Sequence, residues 1–237
     1  MGPSGLSWRQ LALWGALAAA VVAGAALLYP HDGPRGNYDV PVAFPRTLKA
    51  PRGHGPLPPP SASDEELVRS VERVWRRLFQ REDLLFQPAR VVHFEDGGDP
   101  EPCAPPDESL LGLYCPNRRT IFLTDRSEAG TFALWRYVVA HEVGHHVQEL
   151  RGTLLASGEE FEKHTSFVRD LHLREELQAD CYAGVWAHAV GAEPPDRAFH
   201  EQPDEEPGTP RQRRRWLMRG LRTGRPAECN TFRPRRP

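Results

Sequence analysis

The chain contains no Cys-x-x-Cys pair, no internal repeat and almost no net charge. The first absence argues against a zinc site built on closely spaced thiolates. The second excludes a repeat array. The third reflects 30 lysines and arginines set against 32 aspartates and glutamates, a formal charge of −2. It leaves no bulk electrostatic pull toward any partner. The chain does close on a local basic stretch: Arg211, Arg213, Arg214, Arg215, Arg219, Arg222, Arg225, Arg233, Arg235 and Arg236. Nucleic-acid binding would want aromatics interleaved with those charges, or a known module. Only Trp216 and Phe232 are there. The stretch reads as a solvated basic face, near anionic lipid or the acidic Asp204-Glu205-Glu206, and no nucleic-acid partner is expected.

Charge is absent altogether from Leu11 to Tyr29. About 19 residues at 1.5 Å each span about 28 Å, close to the hydrocarbon core of a bilayer. The run is either an uncleaved anchor or a signal peptide with Ala23-Gly24-Ala25 as its cleavage site. Its length, with Trp8, Trp14 and Tyr29 near the ends, favours an anchor. No cysteine lies near it, so lipidation is not indicated.

The chemistry concentrates in Val138-Val139-Ala140-His141-Glu142-Val143-Gly144-His145-His146-Val147-Gln148. His-Glu-x-x-His on a helix puts His141 and His145 one turn apart on one face, where both imidazoles can reach a single metal ion. Glu142 can hold and deprotonate a metal-bound water. The flanking Phe132, Leu134, Trp135, Val138, Val139, Val143 and Val147 cover most sides of a 3.6-residue period, so the helix is expected to be buried. Two imidazoles and a carboxylate in such a place cost several kcal/mol unless something satisfies them. A bound metal is the simplest partner. His146 is turned about 100° from His145 and cannot share that metal, so it is expected to be structural.

A tetrahedral catalytic zinc wants a third protein ligand and an open position. Arg174 to Ala187 reads as a second helix with Glu176 and Asp180 one turn apart. Its small residues Ala179, Ala183, Gly184 and Ala187 would let it approach the first helix. Glu176 could then reach the metal, and Asp180 could accept the outer N–H of His141. His164 and His172 lie between the motifs and could in principle replace Glu176, but they rank behind it.

The strings HEVGHHVQ and ELQADCYAGVWAH resemble the putative neutral zinc metallopeptidase family of bacteria. The Glu-x-x-x-Asp after His-Glu-x-x-His is similar to that of the gluzincin class of metallopeptidases. Tyr114-Cys115-Pro116 with Thr120-Ile121-Phe122-Leu123, and the ending Arg215-Trp216 … Gly220 … Gly224 … Cys229-Asn230-Thr231-Phe232, also match the family's habits. The likeness covers roughly residues 63 to 232. It implies that His141, His145 and Glu176 are metal ligands, that Glu142 is the catalytic base, and that the domain is zincin-like. It also makes Thr120–Thr124 the candidate strand for binding substrate through main-chain hydrogen bonds. It implies a reaction class, peptide-bond hydrolysis on a protein or peptide substrate, and no particular substrate. Between Ala192 and Pro210 the family carries a longer, partly helical insert. Here a Pro- and acid-rich stretch stands instead.

In such a site zinc lowers the pKa of its water toward about 7. Glu142 takes the proton and passes it to the leaving amine. A second oxyanion donor is expected, with Tyr182, His172 and His188 as candidates. His/His/Glu sites also accept other divalent ions.

Four cysteines, an even number after an export-type segment, suggest disulfides in an oxidising compartment. Three pairings are possible. Cys103–Cys115 with Cys181–Cys229 is the expected one; the first closes a short Pro-rich loop and the second braces the helix carrying Glu176 and Asp180.

The expected organisation is a transmembrane anchor or signal peptide at 1–30, a Pro/Gly-rich linker at 31–62 and a metallopeptidase domain at 63–237. Within the domain, Ser63-Asp64-Glu65-Glu66 opens a helix as a capping box. Arg90 to Phe94 and Arg119 to Thr124 read as strands. Further helices are expected at about Glu128–Leu150, Phe167–Val190 and Arg211–Leu221. The fold class is α+β and mostly helical, with a small β element beside the active-site helix. The expected protein is a single-pass, membrane-anchored zinc endopeptidase facing outside the cytoplasm. The missing insert motivates an alternative, a metal-binding but non-proteolytic scaffold or partner-binding module at the membrane. A third reading faces the cytosol with reduced thiols.

Overall fold

Ser63 caps the first helix reciprocally. Its hydroxyl accepts from the Glu66 amide, and the Glu66 carboxylate accepts from the Ser63 amide. Helix α1 (Asp64–Gln80) buries Leu67, Val68, Val71, Val74, Trp75, Leu78 and Phe79 on one face. Each of the larger side chains contributes roughly 1.5–3 kcal/mol by leaving water. The computed structural model describes residues 44–53, 55–96, 103, 110–154, 166–195 and 208–232. Beyond α1 these form β1 (Arg90–His93), β2 (Gly112–Cys115), β3 (Thr120–Leu123), α2 (Phe132–Leu150), α3 (Ser166–Val190) and α4 (Pro210–Thr223). The domain is mostly helical with one small sheet.

The sheet order is β1–β3–β2. β1 runs parallel to β3, with Val91 opposite Ile121, and β2 runs antiparallel to it, with Tyr114 opposite Ile121. β3 is therefore the central strand and is buried along its whole length. This corrects the expectation that Thr120–Thr124 docks a substrate strand, because both sides of β3 already carry ladder hydrogen bonds. The outer strand nearest α2 is β2, four residues that the sequence pattern did not reveal.

Helix α2 begins later than the Glu128 expected for it. Arg126–Ala129 forms a 3₁₀ turn ended by Gly130 at φ +66°, and the Thr131 hydroxyl then accepts from the Leu134 amide to start the helix at Phe132. Asp64 at the start of α1 accepts from the Trp135 indole and the Arg126 guanidinium, each at 2.8 Å, which ties α1 to α2.

Helices α3 and α4 pack backbone to backbone. A Cβ at Gly184 would lie 2.1 Å from the Leu217 carbonyl oxygen, and one at Gly220 would lie 1.9 Å from that of Cys181. Any larger residue at either place would force the helices apart. Gly184 thus faces α4 rather than α2, which corrects one member of the small-residue stripe.

Part of the expected linker belongs to the packed domain. Phe44, Leu48 and Ala50 are buried, and Phe44 stacks edge-on against Phe79 and Tyr182. The Ala50 amide donates to the Gly224 carbonyl at 2.7 Å. The proposed membrane run and its cleavage site lie outside the described residues. Among the described residues no helix is long and apolar enough to cross a membrane.

Candidate metal centre

Helix α2 carries His141, Glu142 and His145, all buried, and α3 carries Glu176 and Asp180. The two helices meet where Gly144 passes Ala179. A Cβ at 144 would stand 3.0 Å from the Ala179 carbonyl oxygen. That close approach lets the Glu176 carboxylate reach across to the imidazoles.

Three donors converge. His141 Nε2 lies 3.1 Å from His145 Nε2 and 3.1 Å from Glu176 Oε2, and His145 Nε2 lies 3.4 Å from Glu176 Oε1. Ligands about 2.0–2.1 Å from a tetrahedral zinc stand roughly 3.3 Å from one another. The observed separations are close to that value, with His141 meeting one oxygen of Glu176 and His145 the other. Among the described residues this is the group of histidines, cysteines or carboxylates that could hold a metal ion.

The outer ring nitrogens set the tautomers. His141 Nδ1 faces Asp180 Oδ1 at 3.0 Å, and His145 Nδ1 faces Gln148 Oε1 at 2.8 Å. The Gln148 amide group donates to the Glu175 carbonyl and to Gln178 Oε1, so its oxygen is the end left for His145. Each Nδ1 is therefore placed to donate, and in the neutral rings each Nε2 would present a lone pair toward the other. Two lone pairs at 3.1 Å repel unless a proton or a cation sits between them. The donor set fits a divalent ion of borderline softness.

Electrostatics supports the same point. Burial opposes charge on His141, but hydrogen bonds to Asp180 and Glu176 outweigh it and lift the pKa to about 10. His145 is also raised, its burial overcome by the charge of Glu176. Glu176 is held well below the ordinary carboxylate range against its own burial by His145 and His141. Asp180 is lowered against its burial by Arg213 and His141.

Four partners of the site were not foreseen. Gln148 lies one turn beyond His145, a spacing that could have revealed it. Tyr137 donates its hydroxyl proton to Asp180 Oδ1. Arg213, expected on a solvated basic face, is buried against Asp180 and Tyr137. Gly112 of β2 passes Glu142 so closely that a Cβ would stand 3.0 Å from its Cγ and 3.3 Å from its Oε1.

The other candidates separate cleanly. His146 is fully buried away from the centre, between the Tyr114 hydroxyl at 2.8 Å and the Gln87 carbonyl at 2.6 Å. Tyr182 packs against Trp75 and Phe44 in the core. His188 binds the Leu221 carbonyl at 2.8 Å beside α4. His172 alone of the three oxyanion candidates lies at the centre, with Nε2 3.5 Å from Glu176 Oε1 and a half-exposed ring. His164 lies outside the described residues. The cysteines pair as expected, Cys103 with Cys115 and Cys181 with Cys229. The acidic stretch that replaces the family's insert lies mostly outside the described residues.

Fold and donor set together define a helical domain with a candidate metal centre between two helices. The chain belongs to the family described as "Putative neutral zinc metallopeptidase", whose sequence profile matches residues 61–204. It is similar to the uncharacterized protein YpfJ of Escherichia coli (strain K12), 33% identical over 201 residues that cover 70% of this chain and 69% of that one. It is also similar to the uncharacterized protein Rv2575 of Mycobacterium tuberculosis (strain ATCC 25618 / H37Rv), 31% identical over 174 residues that cover 55% of this chain and 58% of that one. No solved structure matches the chain.

Proposed function

We propose that the protein is a zinc-dependent endopeptidase with a zincin-like domain, anchored in a membrane through Leu11–Tyr29 and facing outside the cytoplasm. The observation that carries the reading is the convergence of His141, His145 and Glu176 donor atoms within 4.8 Å of one another, with the charge of Glu142, next to His141 in the chain, acting on His145. His141 and His145 would hold the ion through Nε2 and Glu176 through its carboxylate. Bound there, zinc would supply Lewis acidity and an acidified water.

The remaining work falls to side chains of this chain. Glu142 accepts a proton from the attacking water and delivers it to the leaving amine. The missing side chain at Gly112 leaves that carboxylate room beside β2. As the outer strand next to Glu142, β2 takes the substrate-docking role that the resemblance had given to β3. His172, half-exposed beside Glu176, is the donor placed to hydrogen-bond the developing oxyanion. Asp180 and Gln148 hold the two ligand imidazoles in the tautomer that leaves Nε2 bare. The disulfides support an oxidising compartment, and with it the extracytoplasmic side.

The test is metal analysis of the purified full-length protein, paired with a peptide-library cleavage assay on wild type and Glu142→Gln. One zinc per chain, cleavage by wild type and none by a zinc-loaded E142Q is the expected result. An E142Q enzyme with full activity removes the mechanism. Zinc without cleavage of any peptide would replace it with a non-proteolytic scaffold. Cysteine labelling without reductant on intact cells tests the compartment, with no reactive thiol expected.

A further inference from the structure

Arg213 sits in a run of arginines at the start of α4, beyond the stretch matched by the family profile. A solvated arginine there would need no explanation. This one is 3% exposed. Its Nε donates to Asp180 Oδ2 at 3.1 Å and its Nη2 to Asp180 Oδ1 at 3.2 Å. The same Nη2 donates to the Tyr137 hydroxyl at 3.0 Å and lies 4.0 Å from Glu176 Oε2. The guanidinium thus spans both oxygens of a fully buried carboxylate while touching the second helix of the centre.

Charge gives this geometry its meaning. Glu142, Glu176 and Asp180 bring three negative charges into one buried pocket. Arg213 cancels one of them. The remainder matches a single divalent cation. A buried carboxylate with no counter-ion would seek another partner, and the nearest is the His141 ring it orients.

We propose that Arg213 is a positioning residue of the metal centre: it clamps Asp180 by both oxygens so that Asp180 keeps its place under His141 Nδ1, and it balances the charge that one divalent ion leaves over. The inference rests on the metal reading proposed above. A lysine could supply the charge but not the fork, because an ammonium is a compact point charge. Arg213 acts through Asp180 and touches no reacting atom.

The test measures the zinc dissociation constant of the full-length protein by competition with a chromophoric chelator, with circular dichroism confirming the fold. The set is wild type, Arg213→Met, Arg213→Lys, Asp180→Asn and the R213M/D180N double variant. Loss of a partner that orients a ligand weakens metal binding by ~10–100-fold, and R213M is expected in that range. R213K retains the charge, so it folds even if R213M does not, and it should fall between wild type and R213M. The double variant should bind zinc no more weakly than D180N alone, because both changes break one chain of contacts. A merely structural role would leave zinc binding intact or give losses that add. Wild-type affinity in a folded R213M or R213K overturns the proposal, and so do additive losses in the double variant. A wild type that binds no zinc overturns the metal reading and this proposal together; wild type that binds zinc beside unaffected Arg213 variants overturns this proposal alone.

Discussion

Gly144 and Ala179 touch backbone to backbone, with 3.0 Å from a Cβ at 144 to the Ala179 carbonyl oxygen and 3.1 Å to its Cα. Because the neighbour is main chain, it cannot swing aside as a side-chain tip would. Gly144→Ala would add about 1 kcal/mol of helix propensity. Overpacking typically costs about 1–3 kcal/mol, so a net loss of stability is expected, along with weaker zinc binding as Glu176 is carried away from the histidines. Denaturant unfolding and chelator competition measure both. A variant more stable than wild type would show that the contact is slack.

Gln148 is the amide that holds His145. Gln148→Leu keeps the volume but strips His145 Nδ1 of its acceptor and the Glu175 carbonyl of its donor. Unmet buried groups cost roughly 1–3 kcal/mol each, and zinc affinity should drop by ~10–100-fold. Gln148→Glu restores an acceptor for the ring and should recover much of the affinity. Equal binding by Q148L and wild type would remove Gln148 from the site.

Gly112 should separate binding from turnover. Gly112→Val pushes on Glu142, not on His141, His145 or Glu176. Zinc stoichiometry and affinity are expected to survive while peptide cleavage falls at least tenfold, a loss of about 1.4 kcal/mol in the barrier term. Loss of zinc from G112V would mean that β2 supports the ligands themselves.

Acidity should govern loading. The His141 pKa rises from 6.5 to about 10 in the metal-free chain, where burial is outweighed by Asp180 and Glu176. A raised histidine pKa stabilises the folded chain fully below the ordinary value and loses that contribution as pH climbs through the raised one. The metal-free protein should therefore lose stability between pH 6.5 and about 10. Zinc has to displace the His141 proton, so its apparent affinity should strengthen about tenfold per pH unit over that window. Calorimetry in buffers of different ionisation enthalpy reads the released proton directly. A flat affinity across the window would show that His141 is already neutral.

Much of the centre was legible because it depends on local spacing. His141 and His145, and again Glu176 and Asp180, stand four apart on helices, and a helix turns every such pair to one side. The pairing of Cys181 with Cys229, 48 residues apart, was one of three possible and was expected without any help from local spacing. What escaped depends on long-range packing. Periodicity shows that a helix is basic but not which arginine turns inward, so Arg213 was lost among its neighbours. β2 (Gly112-Leu113-Tyr114-Cys115) opens on glycine and has no β-branched residue, unlike the equally short β1 with Val91 and Val92 and β3 with Thr120 and Ile121, so its strand signal was weak. The role given to β3 failed because a strand's free edges are decided by its partners, not by its own side chains. Phe44, Leu48 and Ala50 were masked by the prolines and glycines around them, although three apolar groups suffice to fill a groove.

The Cys181–Cys229 bond and the glycine contact between α3 and α4 join the last described stretch of the chain to the helix that bears Glu176 and Asp180. A fragment trimmed to the residues shared with the family profile would keep every proposed ligand yet discard both the covalent tie and the guanidinium. Such a minimal domain would carry the recognisable signature and be a poor proxy for the intact molecule.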